Sequence, residues 1–197
     1  MIRWCSILLV FSVLFAAAAA SAPRNAPVVF TTSSQAEAPV PVAPVTVILV
    51  RHAEKATDGD ARDPKLSEAG TKRAESLARM LGSAGVTHLF ATEFHRTQDT
   101  LAPLAKVAGH AVDVVPAGKA EELEKCLRAL APGSVAVVAG HSNTVPDVAK
   151  RLGVALEGLQ STRNGATLAE DSFDRVFVLT LPPTGSNVAP RAIELRY

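Results

Sequence analysis

Two arginines and two histidines in this chain are placed where they could do chemistry together. Arg51 and His52 follow the apolar run Val45 to Val50, and Arg96 lies in the stretch Thr92 to Thr97. His141 lies in Gly140-His141-Ser142-Asn143, behind a second apolar run. A guanidinium presents a planar fork of donors that fits a phosphoryl group through paired hydrogen bonds, and it stays charged. An imidazole among such cations is biased toward its neutral form, because neighbouring positive charge disfavours protonation. A neutral imidazole is a nucleophile, and arginines around it would stabilise charge on a transferring phosphoryl group. The residue types therefore describe an anion site with a nucleophile inside it.

That reading requires four residues far apart in sequence to meet, so the elements between them matter. Val45–Val50 is apolar on both faces and reads as a fully buried strand. Residues 66–85 read as a helix with Ser67 as N-cap, an apolar face of Ala74, Leu77, Ala78 and Leu81, and a stop near Gly82 and Gly85. Strands follow at 86–92, 111–116 and 134–140. Helices are expected from about Phe94 to Gly109, over 119–133 and over 144–153. Two late strands, 174–181 and 189–197, are joined by the turn Pro182-Pro183-Thr184-Gly185-Ser186. Strands alternating with helices imply the α/β class: a three-layer α/β/α sandwich with a mostly parallel sheet and an antiparallel edge hairpin. Ligands of such sheets collect at the carboxyl ends of the strands. Arg51-His52 and Gly140–Asn143 each follow a strand directly. Arg96 enters in the first turn of the helix after the second strand, where free N–H groups add positive potential.

The whole chain sets outer bounds. Its 197 residues suit one domain with a substantial core, and 48% apolar with 20% charged residues is ordinary for a globular protein. A formal charge of +1 without a Lys/Arg block argues against nucleic acid as a partner. Residues 1–22 read as a secretory signal peptide, with Arg3 in a short positive region, an apolar core and an alanine run offering small-x-small cleavage sites. The expectation is an exported protein, periplasmic or secreted, with no stable membrane insertion after cleavage. The alternative is an uncleaved anchor, since Trp4 to Ala20 is just long enough to span a bilayer. Residues 23–44 are rich in Pro and Ala and read as a linker, and 45–197 as the folded domain. Loss of the signal removes Cys5 and leaves Cys126 alone, at helical spacing with Leu123, Leu127 and Leu130, as a structural thiol.

Four segments together, Val50–Lys55, Leu66–Gly70, Thr92–Thr100 and Val137–Thr144, resemble the signature of the histidine phosphatase superfamily, also called phosphoglycerate mutase-like. The resemblance runs from Val45 to the C-terminus, and Phe173–Leu181 fits the small exported bacterial members. It implies His52 as the phosphorylated nucleophile, with Arg51, Arg96 and His141 forming the phosphate pocket and Asn143 adding a contact. It implies hydrolysis of a phosphorylated small molecule or a phosphoprotein, without metal or cofactor. Mutases and large acid phosphatases of this family carry long insertions that build a lid and supply a proton-donating acid. Here 43 residues separate Thr97 from His141, and the expected elements use them up, which implies an open, shallow site. After the third strand, Glu121 and Glu122 are the nearby candidates for a donor.

Rival readings exist. A metallohydrolase would also use histidines, but there is no H-x-H or HExxH and no carboxylate cluster among the strand ends. Ser142 as a nucleophile lacks the second glycine of the elbow motif. A phosphate-binding module without catalysis would have little reason to keep both histidines and both arginines, and phosphoglycerate mutase-type transfer is the alternative within the family. His88 and His95, near the same sheet edge, and His110 in a loop read as ordinary, partly exposed residues. Glu54 and Lys55 read as an exposed pair, Asp171 and Asp174 as a solvated acidic turn, and Gly140 as permitting a tight turn beneath His141.

Overall fold

The alternation of apolar runs and amphipathic segments does produce alternating strands and helices. The computed structural model describes residues 42–197, so the expected signal peptide over 1–22 and the linker up to residue 41 lie outside the described residues. In chain order the elements are β1 (Val45–Arg51), α1 (Glu68–Leu81), β2 (His88–Ala91), α2 (His95–Ala108), β3 (Val112–Val114), α3 (Ala120–Arg128), β4 (Val135–Gly140), α4 (Thr144–Arg151), β5 (Gln160–Thr162), β6 (Gly165–Thr167), β7 (Arg175–Leu181) and β8 (Arg191–Arg196). None of the described helices is long and apolar enough to cross a membrane.

Six strands form one sheet in the order β3-β2-β4-β1-β7-β8. The pairings β1–β4, β2–β4 and β2–β3 are parallel, whereas β7 runs antiparallel to both β1 and β8. Alternation along each strand divides the core into two apolar clusters. Ile48, Val50, Leu89 and Val137 pack under Leu77 and Leu81 of α1 and Leu101 and Leu104 of α2. Val47, Leu49, Ala136 and Val138 face Leu123 and Leu127 of α3 and Val145 and Val148 of α4. Successive strand residues point to opposite faces, so a strand covered on both sides must be apolar throughout, as β1 and β4 are. This is the three-layer α/β/α sandwich with its antiparallel edge.

The consequence for function lies in the parallel core. The neighbours β2, β4 and β1 all point the same way, so their carboxyl ends share one edge of the sheet. Register makes this tight: Arg51 lies opposite Gly140, and Ala91 opposite Ala139. Ser67 caps α1 as expected, accepting a hydrogen bond from Gly70 N at 3.1 Å. Gly70 lets that helix lie against the loop after β1, because a Cβ there would run into the carbonyl oxygen of Glu54.

Several expectations need correction. His88 opens β2 and therefore sits at the opposite, amino edge of the sheet from the strand-end residues. Glu54 is not an exposed partner of Lys55: it receives a bidentate pair from Arg73 of α1 at 2.7–2.9 Å, with only 23% of its side chain exposed. Asp174 is half-buried and bonded to Arg196 of β8, whereas Asp171 is solvated as expected. The third helix stops at Arg128, five residues before Gly133, which turns with φ 82° behind Pro132. Cys126 lies within this helix, half-buried against the core. The separate hairpin β5–β6 was not expected at all.

Candidate active site

Arg51 and His52 stand at the end of β1 and are each only 5% exposed. Backbone pairing carries past the strand, with His52 N donating to Gly140 O at 2.9 Å, so the β1 and β4 ends are locked together. The imidazole of His52 has its Nδ1 2.8 Å from the carbonyl oxygen of Ala53. A carbonyl only accepts, so Nδ1 carries the proton and Nε2 is left with its lone pair. Burial, followed by the nearby Arg51, His141 and Arg96, lowers the His52 pKa to about 4 against the partial opposition of that carbonyl. The ring is neutral at neutral pH, and its basic nitrogen has no partner among the described residues.

His141 faces it across the pocket, with ring centroids 5.4 Å apart and edge to face. Its pKa is likewise lowered to about 4, chiefly by burial and then by Arg96. Its backbone N donates to the Thr144 hydroxyl at 2.7 Å. That bond explains Gly140 differently from the sequence expectation. Gly140 is not among the described glycines with positive φ; instead a Cβ there would meet Thr144 Oγ1 at 2.7 Å and push away the group that holds His141.

The two arginines arrive by different routes. Arg51 Nη1 donates to Ala169 O and Glu170 O at 2.8 and 2.9 Å, its Nη2 lies 3.5 Å from the Glu170 carboxylate, and its plane covers Phe173 at 4.2 Å. Its Nε is buried and has no acceptor among the described residues. Arg96 comes from the first turn of α2, stacked on Phe94 at 4.3 Å, with Asp63 3.7 Å from Nη1. Each arginine thus rests on a phenylalanine that also neighbours one histidine: Phe173 beside His52, and Phe94 beside His141. Thr100 ties the two halves together, accepting from Ala53 N and donating to Arg96 O.

The start of α2 is less open than expected, because His95 N is already bonded to Asp63. His95 itself is exposed beside Asp63, and His110 is exposed beyond the helix. Asn143 caps α4 without a side-chain cap bond and lines the pocket mouth.

These groups line an open pocket of about 500 Å³. All four expected residues, Arg51, His52, Arg96 and His141, line it, together with Asn143, Ser142, Phe94, Lys55 and Glu170. Glu121 and Glu122 do not; Glu121 is 71% exposed and paired with Lys125 at 2.8 Å. Among the described residues the sole carboxylate lining the pocket is Glu170, which sequence reasoning missed. Also missed were Phe173 and the hydroxyl of Thr92, 2.9 Å from His141 Nε2. Thr92 was within reach, since it lies four residues before Arg96; nothing in the sequence ties Phe173 to Arg51. The Ser142 hydroxyl makes no hydrogen bond to either imidazole among the described residues. No group of three or more metal-ligating side chains occurs among the described residues.

A sequence model of the histidine phosphatase superfamily (branch 1) matches residues 47–169, ending short of the C-terminus to which the motif resemblance extends. No curated protein sequence matches significantly. Among solved structures, the protein histidine phosphatase SixA complexed with tungstate aligns with TM-score 0.59 at 17% identity, covering 77% of this chain and 96% of its own. A mycobacterial glucosyl-3-phosphoglycerate phosphatase aligns with TM-score 0.52 at 14% identity over 77% and 97% of the two chains. Phosphoglycerate mutase from Plasmodium falciparum aligns with TM-score 0.51 at 15% identity over 79% and 91%. At these identities the likeness is one of fold.

Proposed function

The chain belongs to the histidine phosphatase superfamily, and from that premise we propose that it is a phosphatase working through a phosphohistidine at His52. The observation that carries this reading is the tautomer of His52: with Nδ1 held by Ala53 O, the free lone pair is on Nε2, in a pocket with two arginines. In the first step Nε2 bonds to phosphorus as the bond from phosphorus to the leaving group breaks. In the second, water attacks the phosphohistidine, inorganic phosphate leaves, and the imidazole is regenerated. Arg51 and Arg96 bind the non-bridging oxygens, and His141 supplies its available nitrogen Nδ1 to the same group. Asn143 adds a contact from the rim. The Glu170 carboxylate is 93% exposed, so its pairing with Arg51 is weak enough for a phosphoryl dianion to displace.

The substrate class is a phosphomonoester or a phosphoprotein. Between Thr97 and His141 the chain is spent on α2, β3, α3 and β4, so no inserted lid closes that side of the pocket. An open mouth admits water to the phosphoenzyme, which favours hydrolysis over mutase-type transfer. Replacing Arg51 or Arg96 with alanine is expected to lower the turnover rate on the order of 10²–10³-fold, the cost of one preorganised charge-stabilising donor. Steady-state kinetics on an aryl phosphate checks this.

The reading as a whole is tested by metal dependence. Beside its two histidines the pocket presents three cationic side chains, Arg51, Arg96 and Lys55, against one exposed carboxylate, and the described residues include no group of three or more metal-ligating side chains, a poor setting for a divalent cation. Hydrolysis of an aryl phosphate should persist in EDTA and be inhibited by vanadate, which mimics the phosphoryl group in its five-coordinate state. Activity lost in EDTA and restored by a divalent ion would overturn the reading in favour of a metallohydrolase.

A further inference from the structure

Behind His141 lies a pair of buried hydroxyls that the reaction as described does not use. Thr92 is 7% exposed and Thr97 fully buried. Thr92 Oγ1 is 2.9 Å from His141 Nε2 and 2.8 Å from Thr97 Oγ1. The Thr97 hydroxyl also has two carbonyls in reach, Phe94 O at 2.8 Å and Thr92 O at 3.1 Å.

Two hydroxyl protons can be distributed over these contacts in two ways. In one, Thr97 donates to a carbonyl, Thr92 donates to Thr97, and Thr92 Oγ1 must accept from His141 Nε2–H. A neutral His141 then shows the pocket a bare Nδ1 lone pair, which repels a phosphoryl oxygen. In the other, Thr97 donates to Thr92 and Thr92 donates to His141 Nε2. The imidazole proton then resides on Nδ1, as a hydrogen-bond donor to the phosphoryl group. Since Thr97 can donate to a carbonyl or to Thr92, either arrangement keeps both hydroxyls bonded.

We infer that Thr92 and Thr97 are positioning residues forming a reversible hydroxyl switch, and that a phosphoryl group in the pocket sets it so that Thr92 donates to Nε2 and His141 carries its proton on Nδ1. The inference rests on the pocket being a phosphoryl site. The switch explains how a histidine that burial keeps neutral still offers an N–H to an anion. It also gives the two threonines opposite effects. Without the Thr92 hydroxyl nothing donates to Nε2, and the Nδ1–H form loses its support. Without the Thr97 hydroxyl, the Thr92 proton has Nε2 as its remaining acceptor, and the Nδ1–H form is favoured even in the free protein.

The test reads the tautomer directly, by nitrogen NMR of protein carrying isotope-labelled histidine, with and without saturating inorganic phosphate. In wild-type protein with phosphate, His141 Nδ1 should be protonated and Nε2 bare. T92V should lose that state, with kcat on an aryl phosphate lowered about 10–100-fold, the scale for groups that orient a functional histidine. T92S should restore both. T97V should show the Nδ1–H form without phosphate. Wild-type protein with phosphate and the proton on His141 Nε2 overturns the inference, as does T92V with an unchanged tautomer. Wild-type protein that hydrolyses no aryl phosphate contradicts the phosphatase reading instead, and the NMR result still decides the tautomer.

Discussion

His52→Ala protein should fold, bind phosphate and release none from any phosphomonoester. In wild-type protein mixed with a labelled substrate and quenched in denaturant, label should remain on the chain and be lost in acid but kept in alkali, as a phosphoramidate requires. In the variant no such label should form. The expectation is an all-or-none loss because, on the proposed mechanism, the imidazole of His52 is the group that bonds to phosphorus. Persistence of acid-labile label in His52→Ala would refute the assignment. Folding should survive, since His52 keeps its place through a backbone bond to Gly140 that the substitution leaves intact. The same assignment fixes the acid limb of the pH profile. The attacking form is neutral, and the pKa of His52 is lowered to about 4. The value of kcat/KM should therefore stay flat through about pH 6.5, where an ordinary histidine would protonate, and fall only as pH drops through about 4.

Much of this site is legible in the sequence because of where its residues stand. Arg51, His52 and His141 abut strands whose apolar character on both faces marks them as central, and central parallel strands deliver their next residues to one edge. Local sequence was sufficient there. It was not for Ala169, Glu170 and Phe173, more than a hundred residues from Arg51, because their approach depends on β7 pairing antiparallel beside β1. Glu54 was misread for a related reason: its partner Arg73 returns to it only because α1 packs back over the loop after β1. The hairpin β5–β6 fell below the periodicity signal, since its strands are largely exposed and polar or small throughout. Asn164-Gly165 at its turn, with Gly165 at φ 110°, was the one local sign of it.

The acidic residues make the largest prediction after His52. Protonation of a leaving oxygen typically contributes about 10²–10⁴-fold, and it needs an acid within hydrogen-bond reach of that oxygen. Glu121 and Glu122 stand outside the pocket, and Glu121 is bound up with Lys125 on the solvated side of α3. Glu170 does line the pocket, but its carboxylate is exposed and set against Arg51, the cation proposed to bind phosphate. The enzyme should therefore depend on leaving groups that depart unaided. Aryl phosphates and phosphoramidates, phosphohistidine included, should turn over roughly 10²–10⁴ times faster than simple alkyl phosphates, the whole contribution of the missing acid. The measurement is kcat/KM across a series of phosphomonoesters of graded leaving-group pKa, repeated in Glu170→Gln. A steep dependence, equally steep in the variant, is the expected result. A flat dependence in wild-type protein that becomes steep in Glu170→Gln would make Glu170 the proton donor, and a flat one in both would place the acid on another residue.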